Sequence, residues 1–247
     1  MADPDTTPGA DEATSLSPRV TAQTDRSISP RRDALRRIAA ASRTLIEDLV
    51  GTDVPPDELF EMAEALEGLA QRVQQDRPRS IYEGLAEVAM SGGEEPLEYF
   101  FDHSPLVGLA NPLAPPIVIE VLDDMVVGRV TFGSVYEGPP GCVHGGFVAA
   151  AFDEVLGSAQ TFSGAPGMTG RLTIHYRRPT PLHAPLLIEG RFDRIEGRKV
   201  FTTGRIIADG NVTAEAEGLF ISIDAAKFRE LADGFDRRVA GPDDDEA

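Results

Sequence analysis

The sequence predicts an α+β fold, an antiparallel sheet wrapped around one central helix, preceded by a helical extension. Three observations carry this. Short alternating apolar segments recur after residue 117, a single apolar helical stretch at 145–156 interrupts them, and two amphipathic stripes lie before residue 75.

The stripes come first in the chain. Leu35, Ile38, Ala41, Leu45, Ile46 and Leu49 recur at helical spacing over 31–50, with Gly51 as a stop. Leu59, Met62, Leu66, Leu69, Ala70 and Val73 repeat the pattern, with Asp53 as a candidate cap and Pro55 and Pro56 in the first turn. Two such helices joined by a short linker predict a hairpin whose apolar faces pack on each other and on the main domain.

Residues 117–122 and 125–132 flank Asp123-Asp124 and predict a β-hairpin. In 171–177, Leu172, Ile174 and Tyr176 share one face and Thr173, His175 and Arg177 the other. Leu186, Ile188 and Phe192 share a face in the next strand, and Val200, Thr202 and Ile206 do so after a turn at Glu196-Gly197. Asp209-Gly210-Asn211 is a turn signal leading into a last strand, where Thr213, Glu215 and Glu217 alternate with Val212, Ala214 and Ala216. One-sided alternation predicts an antiparallel sheet whose second face meets water or a partner. The domain boundaries expected are a disordered tail over 1–30, a helical extension over 31–95, the sheet domain over 96–226 and an acidic tail over 227–247.

The helical stretch holds Phe147, Val148, Ala149, Ala150, Ala151, Phe152, Val155 and Leu156, which predicts burial on most sides. Asp153 and Glu154 sit within it. A dry carboxylate is costly unless partnered, and neighbouring helical positions differ by about 100°, so one acid is expected to be structural and the other chemical. At the helix entrance stands Gly141-Cys142-Val143-His144-Gly145-Gly146. Amides at a helix N-terminus lack internal acceptors and favour an oxyanion, and His144 can add a donor. Gly145 and Asp153 are eight residues apart, roughly 12 Å along a helix. If both act on one substrate they must come from different chains, which predicts an obligate homodimer with two-fold related helices.

The stretches GCVHGGFVAAAFDEVLG, MTGRLTIHYRRPTPL and EGRKVF resemble the PaaI-like hotdog-fold thioesterases, over about residues 115–224. The resemblance implies an acyl-CoA thioesterase that needs no cofactor, CoA being part of the substrate. It implies that His144 and the Gly145 N–H bind the thioester carbonyl, and that Asp153 of the other chain acts as base or nucleophile. Thr169 would orient the attacking water, Gly146 would line the substrate, and His175, Arg177, Arg198 and Lys199 would lie near CoA. Arg and Lys suit its phosphates. A non-catalytic hotdog protein that binds acyl-CoA as a sensor or scaffold is the alternative.

The formal net charge of -18 argues against nucleic-acid or membrane-surface partners, since both are polyanions. The charge reverses locally over 171–205, a stretch rich in arginine. One cysteine, Cys142, no apolar run of membrane-spanning length and no basic-then-apolar leader point to a cytoplasmic protein. Cys142 is read as a small buried thiol, Asp102-His103-Ser104 as a loop, and 164–170 as the connection from the helix to the third strand. The four scattered histidines suggest no metal site. The acyl group and any pairing of dimers into tetramers are not encoded in these motifs.

Overall fold

The computed structural model describes residues 29–75, 102–165 and 167–223. The expected acidic tail, most of the N-terminal tail and the stretch 76–95 of the expected extension lie outside them.

Helices α1 (Pro30–Leu49) and α2 (Pro56–Gln75) precede strands β1 (Val118–Val121) and β2 (Val126–Val130). A 3-10 turn at Ser134–Tyr136 leads to helix α3 (Gly145–Ala159), and four strands follow: β3 (Gly167–Tyr176), β4 (Leu186–Glu196), β5 (Lys199–Ala208) and β6 (Asn211–Ser222). All pairings are antiparallel, in the order β1-β2-β4-β5-β6-β3. The expected strands, their hairpins and the single helix are therefore all present. The turn at Asp209-Gly210 has positive φ at both residues, +49° and +75°, which Asp and Gly tolerate.

Helix α3 lies on one face of the sheet. Val148, Ala151, Phe152, Val155, Leu156 and Ala159, at i, i+3, i+4, i+7, i+8 and i+11, are buried against it. The sheet answers with Ile188, Val200, Ile206, Ala214, Ala216 and Phe220. Close approach depends on missing side chains beneath the helix. A Cβ on Gly128 or Gly190 would come within 2.7 or 2.9 Å of Val155, and one on Gly204 within 2.9 Å of Leu156. The expected burial on most sides holds for all but one stripe of the helix. The opposite face of α3 carries exposed Gly146 and Asp153 and half-buried Ala149, Ala150 and Gly157.

The other sheet face is charged. Glu189, Arg205, Glu215 and His175 stand side by side across β4, β5, β6 and β3, with Arg205 Nε bonded to Glu189 at 2.6 Å. Alternating signs between direct cross-strand neighbours stabilise such a row and keep the face hydrated. Thr213 departs from the expected outward set: it lies at the register shift between Ile206 and Ile207, is buried, and accepts from Thr180.

The helical extension differs most from expectation. Helix α1 starts where Ser29 accepts the Arg32 N–H and Pro30 fills the first position. It docks by its polar side. Arg36 bonds Asp102 at 2.8 and 3.0 Å, Arg32 bonds the same carboxylate at 2.9 Å, and Arg43 donates to the carbonyls of Leu109 and Asn111. Asp102 is only 3% exposed, so these arginines neutralise a carboxylate that water cannot reach. Ala39 is the one buried residue of α1, while Ile38, Ile46 and Leu49 remain exposed. Helix α2 buries no residue, and Phe60 is 71% exposed. The hairpin with apolar faces packed together is thus absent among the described residues. Asp53 does not cap α2 either; Pro55 precedes its first residue, and the Pro55 carbonyl accepts the Leu59 N–H.

Candidate active site

The entrance to α3 is set by local hydrogen bonds. His144 is the N-cap, with extended backbone, and its Nδ1 accepts the Gly146 N–H at 3.0 Å. Because Nδ1 is an acceptor, the proton of the neutral ring sits on Nε2, which is left as a donor on an exposed side chain. The Gly145 N–H, at the first helical position, has no intrahelical acceptor. The helix entrance thus presents two donors and the positive end of the helix, groups suited to a carbonyl oxygen. The Gly146 amide is engaged with the ring and holds its orientation.

Both glycines also have close neighbours that a side chain would meet. A Cβ on Gly145 would lie 3.2 Å from the Tyr176 hydroxyl, and one on Gly146 would lie 3.1 Å from His144 Nδ1. The Tyr176 hydroxyl donates to the Gly145 carbonyl at 2.8 Å. Sequence reasoning placed Tyr176 on a strand face without a role; its signal was the shared face with Leu172 and Ile174, which points toward the helix.

At the other end of the site, Thr169 Oγ1 donates to Asp153 Oδ1 at 2.8 Å, both side chains being exposed. Plain alternation would set Thr169 on the face opposite Leu172. A β-bulge between Thr169 and Arg171 reverses it. Thr169 pairs with Phe220 and Leu172 with Gly218, so both turn toward α3. Glu154, the neighbouring acid, is half-buried on a different side of the helix.

The candidate residues fall into two groups. Asp153 and Thr169 lie at one end of α3 and β3. Arg198 and Lys199 belong to the same end of the sheet, because Lys199 pairs with Ile221, which pairs with Met168. Arg198 Nε donates to the Ser222 carbonyl at 3.1 Å. His144, Gly145 and Gly146 lie at the opposite end, with His175 and Arg177 beside Tyr176. Thr169 and Tyr176 are seven residues apart on β3, roughly 23 Å of strand. His175 and Arg177 project from the charged sheet face, and Arg177 is bonded to Glu215 at 2.6 Å. Within one chain the two groups do not meet.

Cys142 is only partly buried, and its Sγ approaches the Pro140 carbonyl. The segment 164–170 is loop only in part, since β3 begins at Gly167. Phe152 is wholly buried under the sheet, whereas Phe147 packs edge-on against Tyr136 at 4.8 Å. No helix among the described residues is long and apolar enough to cross a membrane.

Comparison with known proteins bears on the family and the fold. Residues 140–215 match the family model of the thioesterase superfamily. The acyl-coenzyme A thioesterase THEM4 of Xenopus laevis is 39% identical over 93 residues, which are 37% of this chain and 42% of that protein. THEM4 of Bos taurus is 37% identical over 97 residues, covering 38% of this chain and 40% of its own length. The chain thus spans about two fifths of the length of the curated relatives it matches. A crystal structure of a thioesterase superfamily protein is 39% identical with a TM-score of 0.66, covering 76% of this chain and 94% of that one. That coverage exceeds what the sheet and its helix alone supply. With this identity across nearly the whole of a solved relative, the chain belongs to the thioesterase superfamily, and its fold is the hotdog.

Proposed function

We propose that the chain is an acyl-CoA thioesterase, hydrolysing the thioester to a free acid and CoA, with each active site shared by two protomers of an obligate homodimer. The observation that carries this reading is the division of the candidate residues, with a carboxylate and hydroxyl at one end of α3 and two N–H donors at the other. The likeness to the acyl-coenzyme A thioesterases THEM4 supports the substrate class. A cytoplasmic enzyme without a cofactor is part of the same reading.

Two features favour the dimer. Strand β3 is a ten-residue edge with one side unpaired among the described residues, a feature that proteins ordinarily cover. The open face of α3 carries small residues around Asp153, which leaves room for a second helix. Antiparallel pairing of two β3 edges would bring the Thr169 end of one chain to the Tyr176 end of the other.

In this arrangement the thioester oxygen accepts from the Gly145 N–H and His144 Nε2–H of one protomer, which stabilise the charge developing on it. Asp153 of the other protomer removes a proton from water as the water attacks the carbonyl carbon. The carbon–sulfur bond then breaks, and the CoA thiolate takes up that proton. Thr169 holds Oδ1 and leaves Oδ2 for the water. Direct attack by the carboxylate is the other route; borohydride would then trap a mixed anhydride on Asp153 as the alcohol. Arg198 and Lys199 from one chain and Arg177 from the other supply cationic groups for the CoA phosphates, with His175 beside them as a hydrogen-bonding side chain. Pairing of two such dimers through the charged sheet face is compatible with the same assembly.

The test is thiol release from acetyl-, phenylacetyl- and palmitoyl-CoA by the wild type and Asp153→Ala. Turnover lost in the variant is expected. The exposed apolar faces of α1 and α2 favour one other reading, an acyl-CoA-binding scaffold; binding without turnover on any ester would select it.

A further inference from the structure

We propose that Glu47, on the N-terminal helix, is a positioning residue for the His144–Gly145 donors, acting through the 3-10 turn at Ser134–Tyr136. The inference rests on the reading of those donors as the carbonyl-binding end of the site. Glu47 Oε1 accepts the Ser134 N–H at 2.7 Å and Oε2 accepts the Val135 N–H at 3.4 Å. The turn it holds delivers the Tyr136 carbonyl to the His144 N–H at 2.8 Å. That is the hydrogen bond that fixes the backbone of the N-cap, and Tyr136 also meets Phe147 edge-on on the first turn of α3. Two segments distant in sequence are thereby joined, from carboxylate to turn to N-cap.

The same junction holds the second support of the 141–144 segment. Ser134 Oγ and His183 Nε2 are 3.1 Å apart. The loop carrying His183 accepts the Val143 N–H at the Thr180 carbonyl and donates the Leu182 N–H to the Gly141 carbonyl. Ser134 is thus tied to Glu47 by its amide and to His183 by its hydroxyl, so the segment before His144 is gripped from both sides at one point. There is little slack for the turn to take up. A Cβ on Gly138 would fall 2.7 Å from His144 Cα, so the chain returning from the turn lies directly against the N-cap backbone. Donors aimed at a developing charge lose much of their effect when displaced by about 1 Å, and the ground-state affinity for CoA need not change with them.

The experiment uses the full-length protein and three variants, Glu47→Ala, Glu47→Gln and Arg43→Ala. Arg43 donates to the carbonyls at 109 and 111, so its loss cuts a different tie of α1 and removes no hydrogen bond to the turn. kcat and KM are measured on whichever ester of the panel turns over fastest, and amide exchange by mass spectrometry follows the peptide covering 136–147. Glu47→Ala is expected to lower kcat about tenfold with KM within about twofold, and to speed exchange of that peptide. Glu47→Gln keeps one acceptor oxygen and should fall between Glu47→Ala and wild type, while Arg43→Ala should match wild type in both readouts. Unchanged exchange and kcat in Glu47→Ala would overturn the proposal. So would Arg43→Ala behaving as Glu47→Ala, which would assign the effect to helix docking as a whole. If the wild type hydrolyses no ester, the thioesterase reading fails, and the exchange rates alone decide whether Glu47 holds the His144 turn.

Discussion

Thr169 Oγ1 donates to Asp153 Oδ1 at 2.8 Å, joining the edge strand to the exposed face of the central helix. The contact exists because the bulge after Thr169 turns that side chain to the face opposite the one simple alternation gives it. Replacing Asp153 by Ala should lower kcat by at least about 100-fold with the fold retained, since Ala is a good helix former. Thr169→Val should lower kcat by about tenfold. Thiol release with circular dichroism as the folding control checks both.

The cationic residues separate by substrate. Arg177→Ala and Arg198→Ala should each raise KM for a CoA ester several-fold and spare a truncated thioester that lacks the nucleotide. Arg177 also bonds Glu215, so its effect should grow in the Glu215→Gln background, where that competing partner is weakened. Equal effects on long and truncated substrates would remove these residues from CoA binding.

Much of this site was legible in the sequence, and the rest was hidden for identifiable reasons. Period-two alternation in 171–177 and the 3.6-residue repeat in 145–156 depend on burial and mark the sheet and helix directly. The Asp153–Gly145 spacing separates the two halves of the site before any coordinates exist. The bulge at Gly170 has no periodic signature, so the side on which Thr169 emerges could not be read. Nor could the docking of α1, whose apolar stripe was the visible feature. Its attachment runs instead through Arg32, Arg36, Arg43 and Glu47, and their partners at 102–111 and 134–135 are distant in sequence. Asp102 is loop, as read, and its pairing with Arg32 and Arg36 was hidden for the same reason.

Glu47 gives the docking of α1 a definite acid dependence. Its carboxyl is held below the ordinary carboxylate value of about 4.5, first by the Ser134 amide and further by the Val135 amide and the neighbouring His183. A carboxyl whose folded pKa is depressed contributes stability above its unfolded pKa and loses it as pH falls through the folded pKa. The contribution is therefore intact at neutral pH and lost only below about pH 4.5. Glu47→Gln should abolish that component, seen as a flatter dependence of amide exchange in α1 between pH 3 and 5.

Thr202 is 1% exposed, and its hydroxyl has no hydrogen-bond partner among the described residues. Val has nearly the same shape and removes the unsatisfied group. Thr202→Val should raise unfolding free energy by about 1 kcal/mol, read from the urea midpoint at unchanged m-value. Destabilisation would mean that the hydroxyl has a partner in the assembled protein.

The shared site is tested most directly by thiol release from a heterodimer of Asp153→Ala and His144→Ala chains, purified through two different tags. Each homodimeric variant lacks one half of both sites, whereas the heterodimer combines one intact site with one doubly impaired site. The account predicts near-inactive homodimers and a heterodimer with about half the wild-type rate. A heterodimer no more active than either parent would contradict a site built from two protomers.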